Sequence, residues 1–132
     1  MGIKDSSFDF NHTVAYIKKF PQLNIYVGKD TDTSELVRAG ANGAICALSN
    51  ICPNLLQSLY EYGKDSSKPN RNDEINRLWT IVHKPNLIAI VKGILASQKG
   101  PKWSVARPPL CSISAKEIED VARAMKEAKI NK

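Results

Sequence analysis

The chain is expected to fold as a parallel α/β unit followed by a helical segment. Three observations predict this. Short strand-like runs recur about 20 residues apart, a helical pattern follows each of them, and after Gly63 the helical patterns continue without strands between them. Strand and helix patterns that alternate in this way argue for a parallel sheet with helical crossovers, closed or open.

Ile3 ends the first strand, whose upstream part is short or absent. Asn11 is read as the cap of a helix running to about Lys19; Val14, Ala15, Ile17 and Phe20 form its apolar stripe and Pro21 stops it. Residues 23–27 predict a second strand, with Ile25 and Val27 on one face and Tyr26 on the other. A polar turn opens at Gly28, and a short helix is expected over residues 33–39, stopped by Gly40. Residues 43–48 form a continuous run of small apolar side chains, as in a strand buried on both faces. Pro53 suits the first turn of the next helix, which extends to Tyr62 and turns Leu55, Leu56 and Leu59 inward.

Residues 63–72 are polar and read as a loop. Helices are then expected over residues 73–83 and 86–97, with an extended Pro- and Gly-containing stretch over 99–113. Ser114 and Glu117 have capping-box spacing, which starts a last helix running to about Lys129. Two regions follow from this reading, 1–63 with three βα units and 64–132 with helices.

A chain of 132 residues, 42% of them hydrophobic, is long enough for one domain with a core. No run approaches the roughly 18 apolar residues of a membrane span, and the first residues do not read as a secretion signal. Cys46, Cys52 and Cys111 are an odd set without metal-ligand spacing and read as reduced thiols, so a cytoplasmic protein without bound metal is expected. The net charge of +6 is dispersed rather than clustered, with no nucleic-acid-binding signature, which argues for a basic surface rather than a nucleic-acid partner. His12 and His83 stand 71 positions apart and form no triad or metal pattern; they read as surface or helix-packing residues. Trp79 and Trp103 read as packing anchors.

Five segments in order carry a family resemblance. Gly2-Ile3-Lys4-Asp5-Ser6-Ser7 is an apolar stub ending in a lysine and a hydroxyl-rich turn. It is followed by Tyr26-Val27-Gly28-Lys29-Asp30, by residues 39–47 (Ala-Gly-Ala-Asn-Gly-Ala-Ile-Cys-Ala) with Ser49-Asn50, by Ile88-Ala89-Ile90-Val91-Lys92, and by Arg107-Pro108-Pro109-Leu110. Together they resemble the second half of the dihydrodipicolinate synthase / N-acetylneuraminate lyase family, from its sixth strand onward. The resemblance implies a partial (β/α)8 TIM barrel, its last three βα units and a C-terminal helical segment.

It also implies the chemistry of a pyruvate-dependent class I aldolase, a lyase working through a Schiff base without metal or other cofactor. Lys4 would be the imine-forming nucleophile. A lysine amine titrates near 10.4 in water, so such a lysine depends on a desolvated site to free its lone pair. Gly28, Asp30 and Ile45 would line the pocket floor beside bound pyruvate, and Asn50 would begin the helix after the eighth strand. The reaction would cleave or condense a 2-oxo acid, of either the dihydrodipicolinate synthase or the 2-keto-3-deoxy sugar acid aldolase type. Trp103 with Arg107-Pro108-Pro109 leans toward the second.

The family's proton-shuttling tyrosine on strand five and its hydroxyl pair for the pyruvate carboxylate are not in this chain. Tyr16, Tyr26, Tyr60 and Tyr62 read as packing residues instead. Phe8 and Lys29 depart from the family pattern. A barrel of this type takes about 250 residues. The chain is therefore expected to be half a barrel, as a truncated piece, a split gene product or a cleaved remnant, and inactive alone. Three strands cannot close a barrel, so an apolar inner face around Val27, Ala44 and Cys46 is expected to be open and to drive homo-oligomerisation or pairing with an N-terminal half-barrel. Two other readings stay open: a non-catalytic half-barrel that acts as an assembly or regulatory subunit, and a small basic nucleic-acid-binding domain.

Overall fold

The computed structural model describes residues 1–130; the basic chain end at 131–132 lies outside the described residues. Three strands, β1 (Gly2–Asp5), β2 (Asn24–Val27) and β3 (Gly43–Ala44), form one parallel sheet in the order β1-β2-β3. Between them run α1 (Phe10–Lys19) and α2 (Thr33–Arg38). Four helices follow: α3 (Pro53–Lys64), α4 (Asn72–Val82), α5 (Leu87–Lys99) and α6 (Ala115–Glu127). The expected order of elements is present throughout.

Local chemistry explains where the boundaries moved. Asp9, not Asn11, caps α1: one carboxylate oxygen accepts the N–H groups of Asn11 and His12 at 2.9 and 3.1 Å. A charged acceptor at the positive helix end satisfies two of the four free N–H groups there. β3 pairs only through Gly43 and Ala44, although the apolar run continues to Leu48. The chain leaves the sheet because Leu48 begins a single 3-10 turn and gives its N–H to the Asp30 carboxylate at 3.0 Å. The stretch after α5 is likewise not all extended, since Pro101–Ser104 form a turn. At Ser114 and Glu117 both halves of the capping box are formed.

Period-two alternation sorts the sheet into two faces. Ile25 and Val27 are each 1% exposed and lie beneath the helices, where Val27 packs with Leu36 and Ala41 against Val14 and Ile17. The register Lys4↔Tyr26↔Gly43 puts Lys4 and Tyr26 on the opposite face. The expectation that Val27, Ala44 and Cys46 line the open face is therefore corrected. Val27 is buried on the helix side, Ala44 packs against that same cluster, and Cys46 is buried beyond the end of β3. The open face carries Gly2, Lys4, Tyr26 and Gly43.

The larger core lies among the helices. Leu55 and Leu59 of α3, Ile75, Leu78 and Val82 of α4, Ile90 and Ile94 of α5, and Val121 and Met125 of α6 belong to one buried cluster, with Leu48, Ile51 and Cys52 entering from the turn after β3. The hydroxyl of Ser34 donates to Asn72 Oδ1 at 2.8 Å, which fixes the start of α4 against α2.

Candidate active site

Lys4 stands one residue from the C-terminal end of β1, exposed on the open face. The C-terminal strand ends are where barrel enzymes of this architecture place their chemistry. Its register partner Tyr26 is half-buried, and its ring lies across the sheet between two glycines. A Cβ on Gly2 would meet the ring at 3.2 Å, and one on Gly43 at 3.5 Å. Glycine at both places leaves room for a flat aromatic beside the lysine. Tyr26 is the residue that sequence reasoning assigned to packing and that the structure puts on the same face as Lys4.

The next residue, Asp5, points the other way and is buried. Its carboxylate accepts from Thr13 Oγ1 at 2.7 Å and the Ser7 N–H at 2.9 Å, and meets His12 Nδ1 at 3.0 Å. Burial by itself would raise the Asp5 pKa, but these hydrogen bonds outweigh it and hold the carboxyl well below the ordinary carboxylate range. The turn after the lysine is thereby pinned to α1. The His12 ring lies against that of Tyr16, 4.4 Å between ring centres and tilted by 51°. The i, i+4 spacing of His12 and Tyr16 was the available signal for that contact.

Gly28 ends β2 against the Asp5 backbone. A Cβ there would sit 2.2 Å from the Asp5 carbonyl oxygen, so only glycine permits the approach. Asp30 follows, 1% exposed, its carboxylate accepting the Leu48 N–H while its own carbonyl accepts from Thr33 Oγ1 at 2.8 Å. Burial pushes the Asp30 carboxyl up to about 6, with the Leu48 hydrogen bond and the charge of Lys4 drawing it partly back. Burial likewise pushes the Cys46 thiol up to about 12; its Sγ lies 3.5 Å from the Val27 carbonyl. Lys4 thus acts electrostatically on both Asp30 and Cys46. Ile45 is 51% exposed beyond the end of β3. The structure so brings Lys4, Gly28, Asp30 and Ile45 to one end of the sheet, with Asp30 buried and Ile45 open. Among the described residues no group of three or more His, Cys, Asp or Glu is placed to hold a metal.

Three parallel βα units with a lysine at a strand's C-terminal end define the class: part of a (β/α)8 barrel. The chain belongs to the Dihydrodipicolinate synthetase family, whose sequence profile matches residues 1–128. It is 28% identical to an uncharacterized DapA-like lyase of Chloroflexus aurantiacus over 118 residues, covering 89% of this chain and 40% of that protein. It is 30% identical to the 4-hydroxy-tetrahydrodipicolinate synthase of Chlamydia pneumoniae, covering 95% of this chain and 42% of the synthase. Among solved structures, dihydrodipicolinate synthase from Agrobacterium tumefaciens superposes with a TM-score of 0.81 at 28% identity, over 96% of this chain and 42% of that one. N-acetylneuraminate lyase from Fusobacterium nucleatum complexed with pyruvate gives 0.81 at 27%, over 100% and 45%. The chain spans less than half the length of these relatives and corresponds to their C-terminal half.

Proposed function

We propose that this chain supplies the lysine-bearing half of a Schiff-base lyase that cleaves or condenses 2-oxo acids through a pyruvate imine, and that it is inactive until the rest of the barrel is present. The observation that carries this reading is the position of Lys4, on the open face at the C-terminal end of β1 and beside the buried Asp30. The neutral Lys4 amine adds to C2 of pyruvate; loss of water leaves a C=N bond between Nζ and C2. Gly28 and Ile45 border the floor of that site, and Asp30 backs it from the buried side. The aldehyde partner, whether of the dihydrodipicolinate synthase or the 2-keto-3-deoxy sugar acid type, is read by groups outside these 132 residues.

Completion requires five further strands, the difference between the eight of a closed barrel and the three here. They belong either to the same polypeptide or to a separate one. Two copies of this chain bring only six, twice three, so self-association does not close the barrel. Without the missing walls, imine formation lacks an anchor for the carboxylate and a group to move protons.

The test is a single polypeptide joining the part of the Agrobacterium tumefaciens synthase outside the matched region to this chain. It is incubated with pyruvate and borohydride and analysed by intact mass and peptide mapping. One reduced pyruvate adduct on Lys4, absent from Lys4→Arg and from the 132-residue chain alone, is the expected result. A folded fusion that takes no adduct, or takes it on another lysine, overturns the reading.

A further inference from the structure

Away from the lysine, a second pocket lies between α5 and the turn that follows β3. Its volume is about 210 Å³, and Asn50, Ile88, Val91, Lys92, Leu95 and Trp103 line it with no acidic side chain among its walls. Ile88 and Trp103 are 52% and 39% exposed, so large apolar groups border the pocket yet remain open to solvent. Lys92 is half-buried, and none of the salt bridges among the described residues involves it. Asn50 donates one amide N–H to the Ala47 carbonyl at 2.9 Å, and its Nδ2 carries a second.

A cation partly withdrawn from water is costly unless an anion or hydrogen-bond partner faces it. A lysine stem flattened on an apolar surface ordinarily sends its ammonium out to bulk water. Here Lys92 shares the pocket wall with Ile88, Val91, Leu95 and Trp103, while the ammonium over the Trp103 ring, 5.6 Å from its centre, is that of Lys99. The charge and the apolar walls together fit a ligand that is negative at one end and hydrocarbon at the other.

We propose that this pocket binds a short-chain aliphatic carboxylate, its carboxylate on Lys92 and its carbon stem on Ile88, Val91, Leu95 and the Trp103 ring. The site shares no residue with the group around Lys4 and stands whether or not Lys4 forms an imine. An inorganic anion would leave the apolar walls uncovered, and an uncharged alcohol would leave Lys92 without a partner. Both are therefore expected to bind more weakly.

Trp103 gives a direct readout. Sodium pentanoate is titrated into the 132-residue chain carrying Trp79→Phe, so that the emission comes from Trp103 alone. A saturable change is expected, weakened about tenfold or more by Lys92→Met and largely kept by Lys92→Arg, a loss of about 1.4 kcal/mol in binding. As an independent check on the unaltered chain, pentanoate should protect Lys92, and not the exposed Lys102, from acetic anhydride as mapped by mass spectrometry. No saturable emission change overturns the proposal. So does pentanol or inorganic phosphate binding as tightly as pentanoate, or a response that Lys92→Met leaves intact.

Discussion

The sheet layer and the helical layer are built to different degrees of completion. Among the described residues the helical cluster holds fifteen buried side chains drawn from α3 to α6 and the turn before them, whereas the sheet cluster holds three, Val27, Leu36 and Ala41. The helices close on each other. The sheet is covered on one face only, and the other carries Lys4, Tyr26 and, beyond β3, the exposed Ile45. Stability and candidate chemistry are thus separated: helical packing holds the fold, and Lys4 and Tyr26 occupy the face that none of the described residues covers, with Asp30 buried behind it.

The largest effect expected from that contrast is in the helical core. Leu78 has no exposed surface, and Leu78→Ala should cost about 2–5 kcal/mol in urea unfolding. Ile45→Ser on the open side should change stability by no more than about 0.5 kcal/mol. Equal costs at the two positions would remove the distinction between the layers.

Within the sheet layer the sensitive point is where β1 and β2 approach. Gly28→Ala would drive a methyl group to 2.2 Å from the Asp5 carbonyl oxygen, which belongs to the backbone and has little freedom to retreat. A loss of about 1–3 kcal/mol in thermal unfolding is expected. A neutral result would mean that the two strand ends are not held together as described.

A pH titration sharpens the comparison further. Burial raises Asp30 from its ordinary 3.8 to about 6, so between those values the folded protein keeps a proton that the unfolded chain has lost. Stability from this group is therefore present below about 3.8 and falls as pH rises through about 6. Asp5, shifted downward, works in the opposite sense, and its contribution is lost only as pH falls below the ordinary carboxylate range. Asp30→Asn, whose amide oxygen still accepts from Leu48, should abolish a loss of roughly 2 kcal/mol between pH 4 and 7. A wild-type profile that is flat over this range would contradict the buried placement of Asp30.

A small effect is also expected at Phe8, which has a left-handed backbone with φ 61. That conformation costs a side-chain-bearing residue about 1–2 kcal/mol. Its ring lies edge-on to Trp79 of α4, 6.0 Å between centres, a contact worth about 0.5–1.5 kcal/mol. Phe8→Gly removes both, so its unfolding free energy should stay within about 1 kcal/mol of wild type. A large loss would show that this contact between the layers carries more than the strain it offsets.

Much of this was legible in the sequence where the cause is local. The capping box at Ser114, Pro53 at the start of α3 and the alternation around Ile25 depend on neighbours within a few residues. The lysine near the end of β1 was legible only through the family resemblance of the five segments, since a lysine at residue 4 by itself reads as a solvated terminal residue. What stayed hidden depended on distant partners. The buried Asp30 carboxylate accepts a hydrogen bond from a residue 18 positions on, where the chain has already left β3. Which face of residues 43–48 is covered could not be read from a run that is apolar at nearly every position, because a one-residue change of register exchanges the faces.

The most direct test of an unfinished sheet layer is native-state hydrogen exchange read by mass spectrometry on the chain alone and on its fusion to the remaining strands. In the chain alone, β1 and β3 amides should exchange well before those of α3 and α4, and in the fusion their protection should rise toward that of the helices. Equal protection of sheet and helices in the chain alone, unchanged in the fusion, would contradict it.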